Sequence, residues 1–154
     1  MKAGIDYIGV GVGAIIISDE GKIFLTKRGA HAKNERSKWE CPGGSVTFGE
    51  TLTQALRREI FEEYGIEIAV GPLLDVVDHI IPDESQHWIS PSYICRIVSG
   101  EPVIQEPGKC DAIGWFELKE AKAMTLSIVT IENLRSLQRQ YPNGLRQHII
   151  SGEL

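Results

Sequence analysis

The sequence is poor in cysteine, and the few cysteines it has are far apart. Cys41, Cys95 and Cys110 are the only three, and no two of them form a C-x-x-C pair. This spacing excludes a dense disulfide framework and a cysteine-based zinc site. Free thiols suit a reducing compartment, so we expect a cytoplasmic protein.

The sequence also lacks a long hydrophobic run. The apolar stretch from Ile8 to Ile17 covers ten residues, whereas a helix needs about 20 to cross a bilayer. No small-residue cleavage site follows it, because Ser18-Asp19-Glu20-Gly21 has the composition of a turn. We therefore expect a buried strand here, with neither a signal peptide nor a membrane partner.

Basic residues are in the minority. Lys and Arg total 16 against 21 Asp and Glu, which gives a net charge of −5. This balance argues against a nucleic-acid partner, because binding along a phosphate backbone needs a basic surface. The chain also has no internal repeat, low-complexity run or linker, so its 154 residues predict one domain, residues 1–154.

One segment, residues 44 to 66, has a pattern with chemical meaning. It follows G-x5-E-x7-R-E-U-x-E-E-x-G-U, where U is a bulky aliphatic residue, and all nine specified positions are filled. Thr51 and Gln54 form a capping-box pattern, which predicts a helix that begins near Leu52. Gly65 predicts its end.

Three carboxylates share one side of this helix, because Glu59, Glu62 and Glu63 stand at i, i+3 and i+4. Like charges at this spacing repel, and a hard divalent cation such as Mg²⁺ would offset the repulsion. The alternative is a solvated charged face paired with Arg57 and Arg58. The helical wheel favours the metal site, because Glu59 and Glu63 project into the same sector as the apolar stripe. That stripe consists of Leu52, Ala55, Leu56 and Ile60.

The pattern resembles the Nudix box, the signature of the Nudix hydrolases, and Trp39-Glu40-Cys41-Pro42-Gly43-Gly44 resembles the segment that commonly precedes it. The resemblance implies an α/β fold, an α/β/α sandwich with a mixed sheet, and hydrolysis of a diphosphate linkage with Mg²⁺ or Mn²⁺. It implies catalytic roles for Glu59, Glu62 and Arg58. It also implies metal ligation by Glu59, Glu62, Glu63 and a carbonyl of Gly43 or Gly44. Arg58 and Glu50 would brace the helix, or Arg58 would simply pair with Glu62.

The resemblance favours a small-molecule nucleotide, most of all a nucleoside triphosphate cleaved to monophosphate and pyrophosphate. Residues 99–116 resemble a triphosphate-cleaving subgroup, in which Glu106 or Asp111 would supply a further carboxylate. Arg28, His87 and Trp88 are candidate substrate contacts. The alternative for each is a purely structural role. ADP-ribose or a nucleotide sugar is the alternative, since some ADP-ribose enzymes carry a proline at the position of Pro82. A non-catalytic nucleotide sensor is a third possibility.

The remaining pattern predicts strands over 8–18 and 22–28 that form a hairpin, a short strand at 39–40 and a tight loop over 41–44. Further strands are predicted over 73–81, 88–98 and 112–118, with an interruption at Pro91, followed by a helix over 131–141. Phe61 is predicted on the face of the catalytic helix away from the carboxylates. Because related triphosphate-cleaving enzymes are often homodimers, we expect a homodimer that covers Phe61; the alternative is that the C-terminal helix covers it within one chain.

Overall fold

The computed structural model describes residues 1 to 154, which form seven strands and four helices. The strands are β1 (Gly9–Ile16), β2 (Ile23–Arg28), β3 (Trp39–Glu40), β4 (Gly43–Ser45), β5 (Glu67–Ile81), β6 (Gln86–Ser99) and β7 (Cys110–Phe116). The helices are α1 (Leu52–Tyr64), α2 (Leu118–Lys122), α3 (Ile128–Gln140) and α4 (Arg146–Ile150). None of these helices is long and apolar enough to cross a membrane.

The strands form two sheets, not one. The first has the order β4-β1-β6-β5, in which β1 and β6 are parallel and the other pairs antiparallel. The second is antiparallel, with the order β3-β2-β7. One core cluster contains the buried face of α1, and a second contains the buried leucines of α3. The predicted α/β class with a mixed sheet is confirmed.

Helix α1 begins and ends as its sequence predicts. The Thr51 hydroxyl accepts from the Gln54 N–H at 3.2 Å, and the Gln54 side chain accepts from the Thr51 N–H at 2.9 Å. Gly65 ends the helix with φ 69°, in the left-handed region that glycine enters without strain. Both ends of α1 are therefore fixed by local chemistry.

The faces of α1 also follow the predicted pattern. Ala55, Leu56 and Ile60 are fully buried, whereas Phe61 on the opposite side is 56% exposed. No other part of this chain covers most of the Phe61 ring, so the expected homodimer stays a prediction.

The predicted hairpin between the first two strands is wrong. The chain does reverse at Gly21, where the Ser18 N–H donates to the Lys22 carbonyl at 2.9 Å. Only an isolated bridge between Ile17 and Ile23 then connects the two strands. Each strand instead has partners on both sides within its own sheet, as is typical of strands that are apolar along most of their length.

Several boundaries differ from the predictions. Gly43–Ser45 is not a loop but strand β4, which pairs with β1. Strand β5 begins at Glu67, and α3 begins at Ile128, both earlier than predicted. Strand β6 continues through Pro91, which pairs with Val76 of β5. The proline does interrupt the other ladder, because the register with β1 jumps from Ile89 to Ser92. A proline has no N–H to donate there.

Candidate active site

A cleft of about 220 Å³ opens between the first sheet, α1 and α3. From α1 it is lined by Glu59 and Glu63, and from α3 by Thr130 and Asn133. Strand β1 contributes Gly11 and Gly13, so it adds little side-chain volume to the lining. The cleft therefore connects the carboxylates of the Nudix-like pattern with a deep region under α3.

Gly44 lets the Glu59 carboxylate lie against strand β4. A Cβ atom on Gly44 would lie 2.2 Å from Cδ of Glu59 and 2.4 Å from its Oε2. Any larger residue at position 44 would displace that carboxylate. The structure thus gives a steric reason for glycine at the first position of the pattern.

Arg58 donates hydrogen bonds to three carboxylates, those of Glu50, Glu59 and Glu62. Its Nε and Nη2 donate to the two oxygens of Glu50 at 2.8 and 2.9 Å. Its Nη1 donates to Glu59 at 2.9 Å and to Glu62 at 3.3 Å. Both suggested partners of Arg58, Glu50 and Glu62, are therefore present together. The hydrogen bonds from Arg58, with that from Thr47, lower the pKa of Glu50 to about 2.

Glu63 lies where negative charge accumulates. Burial raises its pKa to about 8, and the nearby carboxylates of Glu59, Glu40 and Glu106 contribute to the increase. A bound cation would favour the ionised form of this carboxyl group, because a nearby positive charge opposes both the cost of burial and the repulsion from the other carboxylates.

The donor set at this end of the cleft suits a hard divalent cation. It consists of carboxylate oxygens from Glu59, Glu62 and Glu63, together with backbone carbonyls of β4, and Mg²⁺ prefers oxygen ligands. As the side chains stand, no three of them converge on one point. Glu59 and Glu62 are instead hydrogen-bonded to Arg58. Rotation of these carboxylates towards Glu63 would be needed to bind an ion.

Arg28 lines the cleft but is bound within the protein. Its guanidinium donates to Oε1 of Glu40 at 2.8 Å, to the Asn34 carbonyl at 2.7 Å and to the Asn34 side chain at 3.0 Å. Asn34 in turn donates to Gln86 at 2.9 Å. Arg28 therefore connects β2, β3 and the loop 29–38, and its contact with a substrate phosphate stays a prediction.

The structure separates the other predicted substrate contacts. Trp88 lines the cleft and is 6% exposed. His87 precedes it on β6, so strand alternation directs the two side chains to opposite faces. Glu106 pairs with Lys109 at 2.7 Å, and Lys109 lines the cleft. Asp111 is exposed and does not line it.

Sequence reasoning missed several ionisable residues of the cleft, among them Glu40, Glu35 and His79. Glu35 is 4% exposed and lies 3.0 Å from Nε2 of His79. Its other oxygen accepts from the Ile128 N–H, at the start of α3, at 2.9 Å. The sequence did contain a signal for Glu40, because this residue directly precedes the Cys41-Pro42-Gly43-Gly44 segment. It contained no signal for the contact between Glu35 and His79, since 44 residues separate them.

The chain has a clear family relationship. The NUDIX domain model matches residues 8–137. The crystal structure of a MutT NUDIX hydrolase from Burkholderia pseudomallei is 39% identical, with a TM-score of 0.78, and the match covers 86% of this chain and 99% of that one.

Curated relatives match over shorter stretches. The 8-oxo-dGTP diphosphatase of Proteus vulgaris is 38% identical over 69 residues, 45% of this chain and 61% of that protein. The ADP-ribose pyrophosphatase of Methanocaldococcus jannaschii is 40% identical over 88 residues, 56% of this chain and 50% of that protein. The matches thus span less than two thirds of these two relatives. Because the domain model matches residues 8–137, which are most of the chain, the chain belongs to the Nudix family of hydrolases.

Proposed function

We propose that this protein hydrolyses a nucleoside triphosphate to the monophosphate and pyrophosphate, with a divalent cation as cofactor. The observation that carries the proposal is a continuous cleft lined both by the carboxylates Glu59 and Glu63 and by Trp88 and Asn133. Such a cleft can hold a molecule with a phosphate chain at one end and a flat ring at the other. The similarity to an 8-oxo-dGTP diphosphatase supports this choice.

The residues proposed to hold the cation are Glu59, Glu62 and Glu63, with a backbone carbonyl of Gly43 or Gly44. Mg²⁺ is the proposed ion, and Mn²⁺ has the same preference for oxygen ligands. When bound, the ion would supply positive charge that stabilises the phosphates and favours ionisation of a water molecule. The raised pKa of Glu63 supports this assignment, because it marks a carboxyl group without enough nearby positive charge.

The remaining chemistry is assigned to the protein itself. Glu59 or Glu62 would accept a proton from the attacking water, since a carboxylate can act as a general base and Arg58 holds both of them on the same side of α1. Arg58 acts as their positioning residue, since it donates to both and is itself fixed by two bonds to Glu50. A carboxylate held in this way loses little entropy when the reaction begins.

A second candidate is hydrolysis of ADP-ribose. The 40% identity to an ADP-ribose pyrophosphatase over 88 residues favours it. The same carboxylates and the same deep cleft would serve either substrate. The two reactions differ in their products, which makes them easy to separate.

The decisive experiment is a product-resolved assay of the purified protein with Mg²⁺, using nucleoside triphosphates and ADP-ribose in parallel. Ion-exchange chromatography should show a nucleoside monophosphate and pyrophosphate from a triphosphate. AMP with ribose 5-phosphate as the favoured products would support the second candidate instead. Orthophosphate as the first product would contradict both.

Two matched variants test the site itself. Glu59→Gln should lose turnover, whereas Glu67→Gln, an exposed carboxylate at the start of β5, should keep it. Equal activity of the two variants would contradict the assignment of Glu59.

A further inference from the structure

Three buried polar atoms have no hydrogen-bond partner, and one of them belongs to a residue that lines the cleft, Asn133. They are Oδ2 of Asp75, Oγ of Ser92 and Oδ1 of Asn133. Ser92 and Asn133 are almost completely buried, at 0% and 1% exposure. Buried polar atoms are nearly always paired, so three together in one region point to a group that the protein chain itself does not supply.

The sheet register brings these atoms together. Ser92 of β6 lies opposite Gly13 of β1 on one side and opposite Asp75 of β5 on the other. Residues in register on neighbouring strands point to the same face of a sheet. Gly13 and Asn133 line the cleft, whereas Ser92 and Asp75 are not part of its lining. Asn133 approaches from α3 and donates to Asp75 at 2.8 Å.

The contact with Asp75 fixes the orientation of the Asn133 amide. An ionised carboxylate can only accept hydrogen bonds, so the NH₂ group of Asn133 must face Asp75. The opposite end of the amide, Oδ1, is then an acceptor without a donor. Because Asn133 lines the cleft, that acceptor is the polar group of α3 best placed to meet a ligand.

The shape of this region suits a flat ring. Strand β1 presents Gly11 and Gly13, and the adjacent residue of β6 that lines the cleft is the small Ser90. The cleft of about 220 Å³ is far larger than the ~10–15 Å³ that admits one water molecule. A heterocyclic base can therefore lie against the sheet with its edge towards α3.

We propose that Asn133, oriented by Asp75, accepts a hydrogen bond from an N–H of the substrate's base and thereby selects bases that present a donor at the deep end of the cleft. This inference rests on the proposed function, which places the phosphates at the carboxylate end. It makes Asn133 a specificity-determining residue and Asp75 its positioning residue. Bases that present only acceptors at this edge would leave Oδ1 unpaired and desolvated.

The test uses substrates that differ in the donors of the base. GTP and ITP differ only in the exocyclic amine, whereas purine riboside triphosphate lacks both the ring N–H and the 6-carbonyl of ITP. ATP and purine riboside triphosphate differ in the adenine amine. Burial raises the pKa of Asp75, and the orientation of the Asn133 amide depends on the ionised form of this carboxyl group, so kcat/KM should be measured as a function of pH. In the wild type, loss of the recognised donor should lower kcat/KM by roughly ten- to a hundredfold.

The variants separate recognition from structure. Asn133→Leu should reduce the discrimination between the matched substrates to within a few-fold. Gln140→Leu is the control, because Gln140 also connects α3 to β5, by a 3.0 Å bond to the Leu74 carbonyl, but does not line the cleft. It should lose some stability and keep the wild-type discrimination.

A second variant covers the case in which Asn133→Leu does not fold. Asp75→Asn keeps the shape of the side chain, but its amide can donate to Oδ1 of Asn133. Asn133 can then present its NH₂ to the base, so the preference for a donor should fall or reverse. Equal kcat/KM for all matched substrates in the wild type would overturn the inference, as would discrimination that survives Asn133→Leu or Asp75→Asn. No turnover of any nucleotide would instead contradict the proposed function.

Discussion

Replacing Gly44 with alanine should remove most of the activity and leave the fold intact. The added Cβ would lie 2.2 Å from Cδ of Glu59, whereas ordinary contact begins near 3.4 Å. The carboxylate must therefore retreat by about 1 Å. A displacement of ~1 Å in an active site can lower the rate by about 10²-fold.

The fold should tolerate this change for two reasons. The group that must move is the flexible end of a glutamate side chain, not backbone. Gly44 also has no positive φ, so alanine adopts its backbone conformation. Where the conformation is compatible, Gly→Ala stabilises a protein by about 0.4–1 kcal/mol, because the unfolded chain loses entropy. We expect a melting temperature equal to or above that of the wild type. Displacing the Glu59 carboxylate from Arg58 would reduce this gain.

The assay is kcat with saturating substrate and Mg²⁺, alongside thermal unfolding by circular dichroism. Gly11→Ala is the comparison, because the nearest atoms to its Cβ lie at 3.5 and 3.6 Å. It adds the same methyl group on the neighbouring strand, where the base is proposed to lie, so KM should rise, whereas kcat at saturating substrate should stay within a few-fold. A folded Gly44→Ala variant with wild-type kcat would show that the position of Glu59 against β4 does not matter for the reaction.

Three further predictions concern charge at the site. Glu63→Gln should lower kcat by at least ~10², typical of the loss of a key electrostatic group, and a variant within a few-fold of the wild type would remove Glu63 from the mechanism. Mg²⁺ at about 100 times its dissociation constant should raise the free energy of unfolding by about 2.7 kcal/mol, measured by denaturant unfolding with and without the ion. Glu63→Gln should reduce this increase. Burial opposes ionisation of Glu35, but hydrogen bonds from His79 and the Ile128 N–H, with the charge of Lys38, outweigh it and lower its pKa. Its ionisation therefore stabilises the fold above pH ~4.3, the ordinary value for Glu, and this contribution is lost as the pH falls through the lowered pKa. The difference in unfolding free energy between wild type and Glu35→Gln should shrink across that window, and a constant difference would contradict the assignment.

Helix α1 was the most predictable part of the molecule. Its ends depend on Thr51, Gln54 and Gly65, which act through contacts within a few residues. Its buried face follows from helical periodicity alone, and the exposed position of Phe61 follows with it. The polar pattern of residues 44–66 therefore contained the geometry as well as the chemistry.

The division into two sheets was not predictable in this way. The apolar runs of β1 and β2 predict buried strands but do not say which strands they pair with, and the turn between them favoured a hairpin. The deeper cleft residues are harder still. Glu35 meets His79, and Asp75 meets Asn133, only because distant segments pack together. No local pattern distinguishes such residues from polar side chains on the surface.

The glycines of β1 have a consequence for how this site can change during evolution. A side chain on Gly9 would collide with the Trp88 ring at 2.4 Å, and one on Gly13 would press on Ser92 at 3.0 Å. Positions 9 and 13 of β1 therefore accept few substitutions, whereas Gly11, whose added Cβ would lie 3.5 Å from the nearest atom, tolerates alanine. New substrate preferences should then arise mainly on the opposite wall, formed by α3 and the loop 29–38. Mutational libraries aimed at altered specificity should concentrate there, and variants at Gly9 and Gly13 should mostly be lost.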